Sequence, residues 1–174
     1  MQTPVLHAFV DELTKIAVAK AHAGPRLRPR VEVIVRDEQG RVLLGKNPRH
    51  GSYQFPGGGI EGTSVDAAAR REAAEEAGIK IMGVKSLGRR PDKMLDPKYK
   101  TGFDGWETHW RTARMGKIDT KKLGDDGDTM SGLRFYTPEE AIQRLRNQPG
   151  LKTRDKIAPQ RIEILKSFMR EGVS

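Results

Sequence analysis

The 174-residue chain has no cysteine, which rules out both a disulfide framework and a thiolate metal site. It also lacks any apolar run approaching the length of a membrane span. Its first residues show no basic segment followed by an apolar stretch, so no secretory signal is read and the cytoplasm is the expected compartment. No internal repeat is visible. The length suits one domain with decoration at its ends, long enough to bury a real core. Hydrophobic residues make up 36% and charged residues 32%, the balance of a soluble protein with a modest core. With 32 basic and 23 acidic residues the formal net charge is +9. Such a surplus favours polyanionic partners, among them nucleotides, RNA and acidic protein surfaces. A solvated basic surface with no specific partner explains it equally well, so charge does not choose a substrate.

The chain is organised around the run Phe55–Ile79, FPGGGIEGTSVDAAARREAAEEAGI. Thr63 or Ser64 is a good N-cap, Asp66 complements the helix dipole, and Gly78 is a natural stop. Alanines at 67, 68, 69, 73, 74 and 77 give high helix propensity and a slim face for close packing. Spacings of three and four residues put Glu72, Glu75 and Glu76 on one face of that helix. Carboxylates so close repel one another unless a cation sits among them, and hard oxygen donors suit Mg²⁺ or Mn²⁺. Arg71, four residues before Glu75, can pair with it. Upstream, Gly57, Gly58 and Gly59 let the backbone approach a ligand closely. The plain alternative is an alanine-rich surface helix with a solvated acidic face. Loop, cap, Arg-Glu pair and stop falling in register speak against it.

In its residues this segment resembles the signature of the Nudix hydrolases: glycine, five residues, glutamate, seven residues, then Arg-Glu-x-x-Glu-Glu-x-Gly and an apolar residue. The matching positions are Gly57, Arg71, Glu72, Glu75, Glu76, Gly78 and Ile79. Thr63 stands where the family has its first glutamate, and where the family usually reads Gly-Gly-x-x-Glu-x-Gly-Glu this chain has Gly-Gly-Gly-Ile-Glu-Gly-Thr, one residue shorter. The resemblance covers about residues 30 to 148 and implies an α/β/α sandwich with a mixed β-sheet between helices. It implies hydrolysis of a diphosphate linkage in a nucleoside diphosphate derivative. Glu72, Glu75 and Glu76, with a carbonyl of Gly57 or Gly58, would hold the metal. Glu72 would also orient or deprotonate the water, and Arg71 would hold Glu75 in place. An extra acid in a later loop is common in the family, and Asp126 and Asp128 are the candidates by position. A Gly-Asp turn with no function accounts for them at least as well. The competing reading is a Nudix-fold binding or structural module for RNA or protein, without catalysis. Monomer and homodimer are both compatible with the family.

The rest of the chain is read in order. Residues 1–24 carry an amphipathic helix in which Val5, Leu6, Phe9, Val10, Leu13, Ile16 and Ala17 recur at helical spacing. Packing on its own domain is its expected role. Residues 25–30 read as a basic, proline-containing linker, and 31–174 as the Nudix-like domain with its C-terminal helix. Val31–Arg36 and Arg41–Lys46 read as a hairpin, followed by a polar loop and a short strand before Phe55. Lys46, Arg49 and His50 are candidates to face a substrate phosphate. Lys80–Arg89 reads as a strand and residues 90–104 as a long loop. In that loop Tyr99 and Phe103, among lysines, could stack a base or simply anchor the loop. Trp106–Met115 and Leu133–Tyr136 read as strands. Thr137-Pro138-Glu139-Glu140 starts a helix with cap, proline and acids in favoured places, and a last helix spans 158–170.

Overall fold

The structure is a computed structural model that describes residues 10–15, 25–49, 51–92, 102–118, 129–148 and 157–170. Residues 10–15 are helical (α1). There follow β1 (Leu27–Arg36), β2 (Val42–Lys46), β3 (Tyr53–Gln54), α2 (Val65–Ala77), β4 (Ile79–Asp92), β5 (Gly105–Ile118), β6 (Ser131–Tyr136), α3 (Pro138–Arg146) and α4 (Ile157–Arg170). No helix among the described residues is long and apolar enough to cross a membrane.

The strands form one sheet in the order β3-β2-β1-β5-β4, with β6 also paired to β2. The pairing β1–β5 is parallel, from Leu27 opposite Gly105 to Arg36 opposite Arg114. The others are antiparallel, so the sheet is mixed. Period-2 alternation sorts β1 between two cores. Val31, Val33 and Val35 face a cluster with Ala68, Ala69, Ala73 and Ala77 of α2. Ile34 belongs to the opposite cluster, with Phe55, Trp110, Leu145, Leu165 and Phe168, which α3 and α4 close. The alanine face lets α2 lie close to the sheet, while large side chains fill the other layer. The expected α/β/α sandwich with a mixed sheet is the fold found.

Several local expectations hold. β1 and β2 form the antiparallel hairpin. Thr137 caps α3 in a full capping box with Glu140, and Pro138 opens the helix. Two boundaries differ. β1 begins at Leu27, so residues 27–30 are strand and not linker. Prolines oppose helix but not this strand: Pro29 uses its carbonyl to accept the Ile60 N–H at 3.2 Å. Arg28 and Arg30 there lie over the Trp106 ring at 5.3 and 5.8 Å, partners that only the fold reveals. β4 runs on to Asp92, through residues expected as loop, because β5 pairs with it as far as Trp106. In α1, Val10 and Leu13 are 52% and 50% exposed and join neither core cluster; the other apolar positions of the expected N-terminal helix lie outside the described residues.

Candidate active site

The glycine loop lies along the edge of β1 that β2 leaves open. Val33 N–H donates to Pro56 O and Val31 N–H to Gly58 O, both at 2.9 Å, and Arg30 bridges Gly59. Backbone therefore rests on backbone. A Cβ at residue 57 would strike the Val31 carbonyl oxygen and come within 2.9 Å of Glu32 Cα and Cγ. One at residue 58 would meet Glu72 Oε1 at 2.5 Å. At Gly57 the obstacle is backbone, so glycine is required by close approach, whereas at Gly58 it is the end of the Glu72 side chain. At Gly59 the nearest atom would be 3.6 Å away, so that position has room.

Behind the loop stands α2. Ser64 caps it, accepting the Ala67 N–H at 3.2 Å, and Asp66 lies in its first turn. Gly78 ends it in the left-handed region at φ 63°. Of the two residues open as the cap, Ser64 fills the role, while the Thr63 hydroxyl reaches only the Ser64 carbonyl at 3.4 Å.

The three glutamates share a helix but not a common point. Glu72 is almost wholly buried, and its Oε1 accepts from Arg71 Nη2 at 2.7 Å. Glu76 Oε2 accepts the Gly57 N–H at 2.7 Å. The Glu75 side chain is 51% exposed. Arg71 is anchored mainly elsewhere than expected: Nη2 donates to Gly59 O at 2.6 Å and Nη1 to Glu61 Oε2 at 3.1 Å. Its approach to Glu75 is longer, 3.7 Å. Arg71 is thus a clamp between the loop and Glu72. Lone 1,4 spacing on a helix does not decide such a choice, because a neighbouring loop offers better-aligned acceptors.

Burial governs the charges. Burial drives Glu76 up to about 8, and the Glu72 and Glu32 carboxylates push the same way, against the Gly57 N–H and Arg30. Burial also raises Glu72, though the Arg71 hydrogen bond opposes it. Arg71 is raised in turn, first by its bond to Glu72. Among the described residues no three acidic or histidine side chains converge closely enough, as they stand, to hold an ion. The donor chemistry nevertheless fits a divalent cation. Desolvation raises both Glu72, even with Arg71 beside it, and partly buried Glu76, and their oxygens are hard donors. Exposed Glu75 is free of the packing that fixes the other two.

The remaining candidates scatter. Lys46 lies over the Tyr53 ring at 5.4 Å, at the far end of β2. Arg49 is exposed in the turn after β2, with its N–H on Asn47 Oδ1 at 2.9 Å. Phe103 is exposed, with the Arg26 guanidinium 5.6 Å above its ring. His50, Tyr99, Asp126 and Asp128 lie outside the described residues. Sequence reading missed Glu32 and Arg161, buried partners beneath the loop with Arg161 Nε donating to Glu32 Oε2 at 2.8 Å. The available signal was an acid inside an otherwise apolar β-branched strand, a residue rarely buried unless paired.

Comparison with known proteins agrees with this geometry. Residues 26–157 match the model of the NUDIX domain. The chain is similar to an RNA pyrophosphohydrolase of Caulobacter vibrioides (strain NA1000 / CB15N), 38% identical over 104 residues, covering 52% of this chain and 59% of that protein. The same figures hold for the protein of that name from strain ATCC 19089 / CIP 103742 / CB 15. The likeness therefore spans 59% of the length of these curated relatives. Among solved structures, a NUDIX hydrolase from Nitrosomonas europaea is similar in fold, with TM-score 0.62 and 16% identity over 82% of this chain and 90% of that one.

Proposed function

This chain belongs to the Nudix family, and from that premise we propose that it is a cytoplasmic hydrolase cleaving a diphosphate linkage in a nucleotide or in the 5′-phosphorylated end of an RNA. One observation carries the reading. The Gly57–Gly58 backbone is pressed against two acids of α2, partly buried Glu76, which accepts the Gly57 N–H, and buried Glu72, which Arg71 holds. Glu72 and Glu76, with Glu75 turned inward, would hold Mg²⁺ or Mn²⁺. A divalent ion bound there would neutralise phosphate oxygens and lower the pKa of the attacking water. The chain's own residues do the rest. Arg71 holds Glu72 against Gly58, so that Glu72 can orient the water and accept its proton. The Gly57 N–H fixes Glu76.

The nucleotide or RNA class rests on the activity for which the Caulobacter relatives are named and on charge. Next to Gly59, Arg28 and Arg30 stack on the Trp106 ring, a basic and aromatic surface suited to a phosphorylated chain. We also propose that residues 1–24 form a helical extension and that the domain itself runs from β1 to α4. The second reading, a module that binds without cleaving, draws on Thr63 at the position of the family's first glutamate. The test is product release from triphosphorylated RNA, nucleoside triphosphates, ADP-ribose and dinucleoside polyphosphates, with Mg²⁺, with Mn²⁺ and with chelator. Turnover lost on chelation and in Glu76→Gln supports the hydrolase. Tight RNA binding with no turnover of any compound supports the module.

A further inference from the structure

Beneath the glycine loop lies a charge pair that the chemistry above does not use. Glu32, in the middle of β1, is fully buried, and Arg161 of α4 is 3% exposed. The guanidinium grips the carboxylate with two bonds of 2.8 Å, Nε to Oε2 and Nη2 to Oε1. Arg30 Nη2 adds a third contact to Oε1 at 3.0 Å. Both Glu32 oxygens thus accept from a guanidinium, Oε1 from two. Desolvating two charges costs about what their attraction returns, so net stability is a poor account of such a pair. Its surroundings supply a better one.

We infer that the Glu32–Arg161 pair is a positioning device, which sets the glycine loop and through it the Glu76 carboxylate. Glu32 Cγ forms the floor under Gly57, where an added Cβ would lie 2.9 Å from it. The bonds that fix the loop, Val31 N–H to Gly58 O and Val33 N–H to Pro56 O, flank Glu32 on either side. Arg161 Nη1 also donates to Tyr53 O at 3.4 Å, just before the loop begins. From the other side the Gly57 N–H donates to Glu76. The order is therefore Arg161, Glu32, Gly57, Glu76, a rigid stack from the C-terminal helix to the acid on α2. Because the pair is bidentate and planar, it fixes direction as well as distance, which a lysine does not.

This inference rests on reading Glu76 as a metal ligand, and the test separates the two. Mn²⁺ alone is titrated into the wild-type chain, Glu76→Gln, Arg161→Lys and the double variant Glu32→Gln/Arg161→Met. Binding is followed by the resonance of free Mn²⁺, alongside the exchange rate of the Gly57 amide, Tm, kcat and KM. The double variant removes both charges at similar volume. It should keep Tm near that of wild type, weaken Mn²⁺ binding about 10- to 100-fold, speed Gly57 exchange and lower kcat more than KM. Arg161→Lys, which keeps the charge and loses the fork, should fall between, and it decides the matter if the double variant does not fold. Wild-type Mn²⁺ affinity and Gly57 exchange in both pair variants would overturn the inference while leaving the metal reading intact, provided Glu76→Gln binds weakly. Unchanged Mn²⁺ binding in Glu76→Gln would overturn both.

Discussion

Two acids, fully buried Glu32 and partly buried Glu76, stand one on each side of Gly57 and meet opposite fates. Burial pushes the carboxyl of Glu32 up, yet Arg161 and Arg30 outweigh it and hold the group below its ordinary range. Burial pushes Glu76 up as well, and there one backbone N–H and the more distant Arg30 do not suffice, so it reaches about 8. The same desolvation acts on both. What differs is the counter-charge the fold supplies. Around Glu32 two guanidiniums complete the neutralisation, and around Glu76 the fold supplies less. On the function proposed above, Glu32 is the structural acid and Glu76 the one that a cation would neutralise.

The comparison can be broken first at Glu76. Glu76→Gln should reduce metal-dependent turnover by on the order of 10²–10⁴-fold, with far-UV circular dichroism unchanged. Activity near wild type would remove the functional half of the contrast. The structural half is broken at Arg161. Arg161→Met strands a buried carboxylate and should cost about 3–5 kcal/mol in urea unfolding, whereas Glu32→Gln/Arg161→Met should recover most of that loss. Next comes Gly58→Ala. Its methyl group displaces the Glu72 carboxylate and not the backbone, so turnover should fall about 10- to 100-fold with Tm little changed.

Protonation sharpens the contrast, because the two acids have opposite signs. Glu32 is depressed in the fold, so its contribution to stability is present above the unfolded value of 4.5 and is lost as pH falls through the lower folded value. Glu76 is raised, so its contribution is full below 4.5 and is lost as pH rises through about 8. In metal-free protein, Glu76→Gln should therefore raise stability relative to wild type increasingly from pH 5 to about 8, as read from urea midpoints. Mn²⁺ should raise the wild-type Tm more at the upper end of that window. The smallest effect is expected at the rim. Arg28→Ala loses one partly exposed cation–π contact of about 0.5–1 kcal/mol and should raise KM a few-fold at most, with kcat unchanged.

The elements that local chemistry dictates could be read from the sequence. The Asp37–Gly40 turn announces the β1–β2 hairpin, Ser64 and Gly78 frame α2, and Thr137-Pro138-Glu139-Glu140 opens α3. The parallel partner of β1 could not be read, since the strand pattern of Leu27–Arg36 names no neighbour some 78 residues away. For the same reason residues 27–30 look like linker until Trp106 is placed over them. In the site, periodicity correctly puts Glu72, Glu75 and Glu76 on α2. It does not show that Arg71 turns to Glu72 and Gly59, because those directions depend on a loop folded back onto β1. The Glu32–Arg161 pair joins residues 129 apart. Only its oddity, a lone acid in a run of valines, was visible.

The most direct test of the central claim is single-turnover cleavage of a 5′-triphosphorylated RNA and of ADP-ribose with Mg²⁺, before and after chelation. We expect product from at least one of them, none after chelation, and recovery when Mg²⁺ or Mn²⁺ is restored. Cleavage that persists in chelator, or binding of both compounds with no product from the folded protein in either metal, would contradict the account.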